Sequence, residues 1–327
     1  MIICWCFTVV RGWLVLVNRR DTVLAALVAT IWGFNFVVID WGMHAGGSEM
    51  PPLLFAAIRF AAVVFPAILL VPRPEAPWRV VAAVGVFMSL GQFGFLYVAM
   101  DAGLPPGLAA LVLQAQIIFT VLIAAGALRE MPTAAQVAGV VVGSVGLAVV
   151  AVGRGGHVTA LALGLCLIGA LSWGIGNVVS RGSGVRGGLS LTVWSAVVVP
   201  VPLLALSLLA DGPADVGHAL ASTSWQAALS TLYTAGLASL VGYGVFNTLL
   251  SRNPSSSVVP WVLLAPVVAM VAAWLLLDQR PNPAETLGGL LMVLGLLVAM
   301  RPSGRQVRPS GIRGSRTLDE RVVATDG

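Results

Sequence analysis

The sequence predicts an all-α polytopic membrane protein, with ten transmembrane helices arranged as two inverted five-helix halves and both termini in the cytoplasm. Three observations carry this. Of 327 residues, 58% are hydrophobic and 9% charged, where a soluble globular chain carries about 25% charged. Ten apolar runs have the length of roughly 17–25 residues that spans a bilayer. The third to fifth runs also align with the eighth to tenth at a constant shift of 149 positions. The composition excludes a water-soluble enzyme, an intrinsically disordered chain and a β-rich secreted domain.

In chain order the runs lie near 22–42, 52–71, 80–100, 106–128, 134–152, 160–179, 189–210, 227–250, 257–277 and 284–300. Each is expected to be a helix that closes its own backbone hydrogen bonds, because hydrocarbon offers none. Their connections are short and marked by Pro, Gly or charge, as at Pro51-Pro52, Pro105-Pro106 and Pro281-Asn-Pro283. Nothing outside the runs is long enough for a second folded domain. Residues 1–20 read as an N-terminal extension, 21–153 as the first half and 157–301 as the second. Residues 302–327 read as an Arg-rich cytoplasmic tail, expected to be disordered because it holds few apolar groups. In the extension, Arg11 interrupts the apolar stretch and no small-residue cleavage site follows, which argues against a signal peptide. Translation is expected to begin near Val17.

All 18 basic residues are Arg, and the formal net charge is +5 with a pI near 9.9. In a soluble protein that balance would point to nucleic acid. Here the Arg residues sit in loops and tails, where the positive-inside bias and attraction to anionic lipid account for them. The lipid bilayer is therefore the expected partner, with no nucleic acid. With the N-terminus inside, fifteen Arg fall on the cytoplasmic side and two, Arg154 and Arg280, outside, while Arg59 lies within the second run. The outer loops hold Glu49, Asp101, Asp211 and Asp215 instead. Cys4, Cys6 and Cys166 lack the partner spacing of a disulfide framework or zinc site, so they read as apolar filler. No metal and no cofactor is expected.

The repeat is marked by its punctuation. At the 149-residue shift Pro105 falls on Pro254, Pro132 on Pro281, Gly139 on Gly288 and Gly146 on Gly295. Trp32-Gly33-Phe-Asn35 matches Trp173-Gly174-Ile-Gly-Asn177 in a slightly different register. Five helices per half is an odd number, so the second copy must enter the membrane upside down. The loop at Glu130 then lies inside and its counterpart at Gln279 outside. Inverted halves place a solute site near the midplane between them, and rocking one against the other gives alternating access.

These stretches, together with Ile31-Trp-Gly-Phe-Asn-Phe-Val-Val-Ile39, Ala57-Ile-Arg59-Phe60, Gly107-Leu-Ala-Ala-Leu-Val-Leu-Gln114-Ala-Gln116 and Val241-Gly-Tyr-Gly244, resemble the EamA family of the drug/metabolite transporter superfamily. The resemblance covers about Asn18 to Met300. The first half is similar to the members that export cysteine and O-acetylserine, which implies a small amino-acid-like substrate. One departure is visible. The family's usual acid-Glu-Arg after the ninth helix is Asp278-Gln279-Arg280 here, which puts a coupling role for that position in doubt.

Polar side chains in spanning helices usually face the bundle interior or a wet cavity. Arg59 lies about 10 Å below the outer end of its helix, at 1.5 Å per residue. It is open to three readings: an internal bond to helix carbonyls or to Asp40, a bidentate partner for a substrate carboxylate, or snorkelling to headgroups. Trp32 with Asn35, and Trp173 with Asn177, each share one helical face and read either as interhelical packing or as cavity wall. Gln114 and Gln116 point about 200° apart, so at least one is expected to bond to a neighbouring helix. Gln92 is a single amide in the third run. Ser239, Tyr243 and Asn247 recur every four residues as a polar stripe.

No Asp, Glu or His occupies the middle of a run, which argues against a mid-membrane acid relay and against an intramembrane protease or metalloenzyme. No phosphate-binding GxxxxGK[ST] loop is present. The expected activity is secondary-active export of a small-molecule substrate, and the family resemblance implies O-acetylserine or cysteine. Alternatives are a carrier of another metabolite or drug, and a non-transporting or lipid-modifying membrane protein. The oligomeric state stays open, a homodimer among the options.

Overall fold

The computed structural model describes residues 18–45, 50–153, 158–184 and 188–300. The extension up to residue 17, Cys4, Cys6, Glu49, Arg154, Arg186 and the tail 302–327 lie outside the described residues. Among the described residues there is no strand. Nine helices are long and apolar enough to cross a membrane, and a tenth is shorter. They are α1 (Arg19–His44), α2 (Pro52–Leu70), α3 (Trp78–Asp101), α4 (Pro106–Ala127), α5 (Ala134–Gly153), α6 (Ala160–Gly182), α7 (Leu189–Ala210), α8 (Trp225–Arg252), α9 (Ser257–Leu277) and α10 (Pro283–Ala299). The last is 17 residues, about 25 Å at 1.5 Å per residue, close to the hydrocarbon thickness.

Local chemistry sets where these helices start. Asn18 accepts the Asp21 N–H at 3.0 Å and begins α1 earlier than hydropathy indicates, so Arg19 and Arg20 belong to its first turn and not to an extension. Thr159 and Ser224 cap α6 and α8 in the same way, each accepting an N–H three residues on at 3.1 Å. Asn282 and Glu285 form a reciprocal capping box at α10, with Pro283 in the first turn, where its missing N–H costs nothing. The connection from α7 to α8 carries a further short helix, Pro213–Ala221, that the sequence did not announce.

The helices are interrupted or irregular in six places, which pair between the halves. In α2 the helix stops at Val64 and resumes at Ala67, around Pro66, and α7 stops at Ala196 and resumes at Pro200. Proline has no N–H to donate and crowds the preceding turn. The third helix of each half holds a π-helical segment, Gly85–Gly91 in α3 and Tyr233–Val241 in α8. The fourth helix of each half breaks at Leu113–Gln114 in α4 and at Leu263 in α9, where Gln114 and Leu263 donate to carbonyls three residues back at 3.1 Å. The 149-residue shift lays π segment on π segment and Gln114 on Leu263.

Short connections make successive helices alternate in direction, and cross-links at both faces agree. At the face where α1 begins, Asn253 donates to Asp21 (2.9 Å), Trp194 donates to the Val71 carbonyl (3.0 Å), Ser190 donates to the Pro72 carbonyl, and Arg181 pairs with Glu130. At the opposite face Asn282 donates to the Gly153 carbonyl (3.1 Å), Trp41 packs edge-on against Trp225, and His44 lies 3.8 Å from Asp101.

Pseudo-symmetry is plainest where α5 crosses α10. A Cβ on Gly139 would stand 2.4 Å from the Gly295 carbonyl oxygen, and one on Gly295 would stand 2.6 Å from that of Gly139. Gly146 and Gly288 repeat the arrangement at 2.6 and 2.5 Å. Since Gly139 corresponds to Gly288 and Gly146 to Gly295, the crossing maps onto itself when the halves are exchanged. The two halves are inverted copies. They also interlock: Gly33 of α1 abuts the Ala265 carbonyl of α9, and Gly174 of α6 abuts the Gln116 carbonyl of α4. Small residues there let backbones approach closely, which is how helices associate where lipid removes the hydrophobic drive.

Candidate functional site

Arg59 sits in the middle of α2 and is 3% exposed, which excludes snorkelling. Its Nη1 donates to the Tyr97 hydroxyl on α3 and its Nη2 to the Ser239 hydroxyl on α8, both at 3.3 Å. The guanidinium carbon lies 4.2 Å from the centre of the Phe93 ring and 5.5 Å from that of Phe60. Asp40, a sequence candidate for its partner, is instead 3.4 Å from His44, and no helix carbonyl accepts from Arg59 among the described residues. A buried cation needs compensation worth several kcal/mol. Here two hydroxyl dipoles and two ring faces provide part of it. Nε has no partner at all.

The Ser239 hydroxyl accepts from Arg59 and donates to the Thr234 carbonyl five residues back, at 2.8 Å, inside the π segment of α8. Phe93 lies two residues beyond the π segment of α3. The two irregular helices thus carry the groups that hold the guanidinium, consistent with the frequent placement of π-bulges at functional sites.

Arg59 lines a cavity of about 180 Å³ bordered by α2, α3, α6, α7 and α8. The Ser239–Tyr243–Asn247 stripe forms its α8 wall, Phe60 and Phe93 its apolar side, and Thr192 and Ser195 of α7 the opposite side. It extends from Arg59 toward the face where α1 begins, ending near Ser180 and Gly188. Trp32 stands behind this wall, its ring 5.0 Å from Tyr243 and 5.1 Å from Phe246, with its indole N–H on the Ala238 carbonyl (2.9 Å).

The other sequence candidates lie outside that lining. Asn177 of α6 donates to Gln116 (2.8 Å) and Thr120 (3.2 Å) of α4, a polar clamp between the halves. Trp173 packs against the main apolar core. Asn35, Gln92 and Gln114 are buried at 6%, 3% and 8% exposure, and the Asn35 Oδ1 has no partner. Sequence reasoning missed Phe60, Phe93 and Ser195, because Phe and Ser in an apolar run carry no signal of their own. A second cavity of about 430 Å³ opens at the opposite face, between the start of α4 and the end of α9, and includes Gln279 and Glu285. Among the described residues no group of His, Cys, Asp and Glu could hold a metal.

Two inverted five-helix copies that meet around a largely apolar cavity holding a buried Arg and a few polar groups, with interrupted helices on its walls, define the carrier class of membrane protein, in which irregular backbone lines the solute path. The EamA-like transporter family model matches the chain twice, at residues 21–152 and 160–301. The chain belongs to that family. It is a multi-pass protein of the bacterial inner membrane. It is 40% identical over 287 residues to a probable amino-acid metabolite efflux pump of Escherichia coli strain K12, covering 86% of this chain and 95% of that one. A probable terminal-alkyne amino-acid exporter of Streptantibioticus cattleyicolor is 29% identical over 301 residues, covering 89% and 97%. A solved crystal structure superposes with a TM-score of 0.57 at 21% identity, covering 86% of this chain and 97% of that one; at that identity the likeness concerns the fold alone.

Proposed function

We propose that this transporter exports a small amino-acid-like metabolite by alternating access, with Arg59 as the anchor for the substrate carboxylate. The observation that carries this is a guanidinium buried in the bundle, facing a cavity, with no acid beside it and Nε unpartnered. A carboxylate is the bidentate complement of that group. Tyr243 and Asn247 supply polar contacts to the rest of the solute, and Phe60 and Phe93 an apolar wall. Cavities for drug-sized ligands run to roughly 300–1,000 Å³, so about 180 Å³ favours a smaller solute. The relatives named as amino-acid metabolite pumps favour the same class, and O-acetylserine and cysteine are its leading members. The Arg skew of the loops orients the face bearing Glu130 toward the cytoplasm.

The test is flux in reconstituted vesicles with radiolabelled cysteine and O-acetylserine. Wild type moves at least one of them. Arg59→Lys, which keeps charge but loses the fork, lowers transport about ten-fold, and Arg59→Ala about ten- to hundred-fold, the range for a lost charged hydrogen bond. Flux that is equal in wild type and empty vesicles would end the assignment to these solutes. A thermal-shift screen of other amino acids then identifies the alternative cargo.

A further inference from the structure

The two faces of the molecule are built alike but closed differently. At the end of α4, Arg129 adopts a left-handed conformation (φ 53°), and at the end of α9 Asp278 does the same (φ 52°). These positions are 149 apart, so the chain turns identically before Glu130 and before Gln279. The helices facing those turns also correspond: Gly174 meets the Gln116 carbonyl as Gly33 meets the Ala265 carbonyl. Following that match along α6 and α1, residue 181 falls on residue 40. At one face the facing pair is Glu130 and Arg181, and it forms an ion pair between the halves. At the other face the corresponding residues are Gln279 and Asp40. Here the Gln279 Oε1 is buried with no partner, Asp40 turns to His44, and the 430 Å³ cavity stands at the same place.

We propose that Glu130–Arg181 is a latch that draws one face of the carrier shut and has no counterpart at the other among the described residues, so that it biases the carrier toward the state closed at the Glu130 face. The cross-links Asp21–Asn253 and Pro72–Ser190 act at the same face. The latch changes the populations of the two access states and the rate of exchange, not the direction of net transport, which the solute gradients set. Both side chains are about half exposed. Exposed pairs are worth about 0.2–1 kcal/mol, so the bias is a factor of about 1.4 to 5. This inference rests on the alternating-access reading and the inverted repeat, and is independent of which solute is carried.

The test uses full-length protein in vesicles, with Cys4, Cys6 and Cys166 replaced, and one reporter cysteine at Thr192 in the cavity or at Met270 in the opposite one. A membrane-impermeant thiol reagent is applied to each face in turn. Glu130→Gln raises labelling at position 192 from the Glu130 face by about 1.4- to 5-fold and lowers labelling at 270 from the other face. The charge exchange Glu130→Arg with Arg181→Glu restores both rates to wild type, which separates a latch from a folding defect. Installing the missing pair with Asp40→Arg and Gln279→Glu lowers labelling at 270. Asp40→Asn alone leaves that rate unchanged. If Glu130→Gln leaves both rates as they were, or the charge exchange labels like the single variant, the latch is overturned.

Discussion

Tyr97 and Tyr243 both flank Arg59, yet loss of the hydroxyl is expected to act differently at each. The Tyr97 hydroxyl accepts from Arg59 in a fully buried position. Tyr97→Phe strands a charged donor and is expected to destabilise the protein by about 1–3 kcal/mol, read as a lower melting temperature in detergent. The Tyr243 hydroxyl makes no hydrogen bond among the described residues and faces the cavity. Tyr243→Phe is expected to leave stability within about 0.5 kcal/mol and to raise the KM for transport. Asn177→Ala removes the clamp to Gln116 and Thr120, worth about 0.6–1.7 kcal/mol between membrane helices, and should lower stability without changing KM. Arg59 was legible in the sequence because a charge deep in an apolar run is costly unless it finds partners. Its partners were not, since Tyr97 and Ser239 lie 38 and 180 positions away and only helix packing brings them close.

Among the elements, the paired π segments are the least legible and the most consequential for the site. Nothing in Gly85–Gly91 or Tyr233–Val241 distinguishes it from ordinary apolar helix, because a π segment changes register by one residue and leaves composition untouched. Deleting Ser89 is expected to restore α-helix while leaving the flanking turns in register, because a π turn absorbs one extra residue. The widened turn ahead of Phe93 would then be lost, and transport should fall while expression and detergent stability persist. The glycine crossing of α5 and α10 was legible as aligned Gly positions, although their contact was not. Gly146→Ala brings a methyl to within 2.6 Å of a carbonyl oxygen and is expected to cost about 1–3 kcal/mol by forcing the helices apart. Gly164→Ala in α6, where nothing lies within 4 Å, is the control and should be neutral or stabilising by up to about 1 kcal/mol.

For the molecule as a whole, helix number, repeat and inversion could all be read from hydropathy and spacing, because bilayer thickness restricts each span to a narrow length. The breaks in α2, α4, α7 and α9 could not, since Pro66 and Pro200 sit in runs that remain apolar and Leu263 resembles its neighbours. Impermeant labelling of single cysteines at Glu130 and Gln279 should report opposite sides of the membrane, with the Glu130 side cytoplasmic. Labelling of both from one side would contradict the inverted arrangement.

The guanidinium of Arg59 places one positive charge at the cavity wall. When the carrier changes the face from which its cavity is reached, the voltage drop moves from one side of that charge to the other. Carrying one elementary charge through the full drop is worth about 2.3 kcal/mol per 100 mV. For a carrier that alternates as proposed, a membrane negative inside favours the vacant state open to the cytoplasm, against the pull of the Glu130–Arg181 pair. A singly anionic cargo cancels the charge and frees the outward stroke from electrical opposition, whereas a zwitterion leaves it in force. Sensitivity of flux to imposed potential would thus sort cargoes by their net charge.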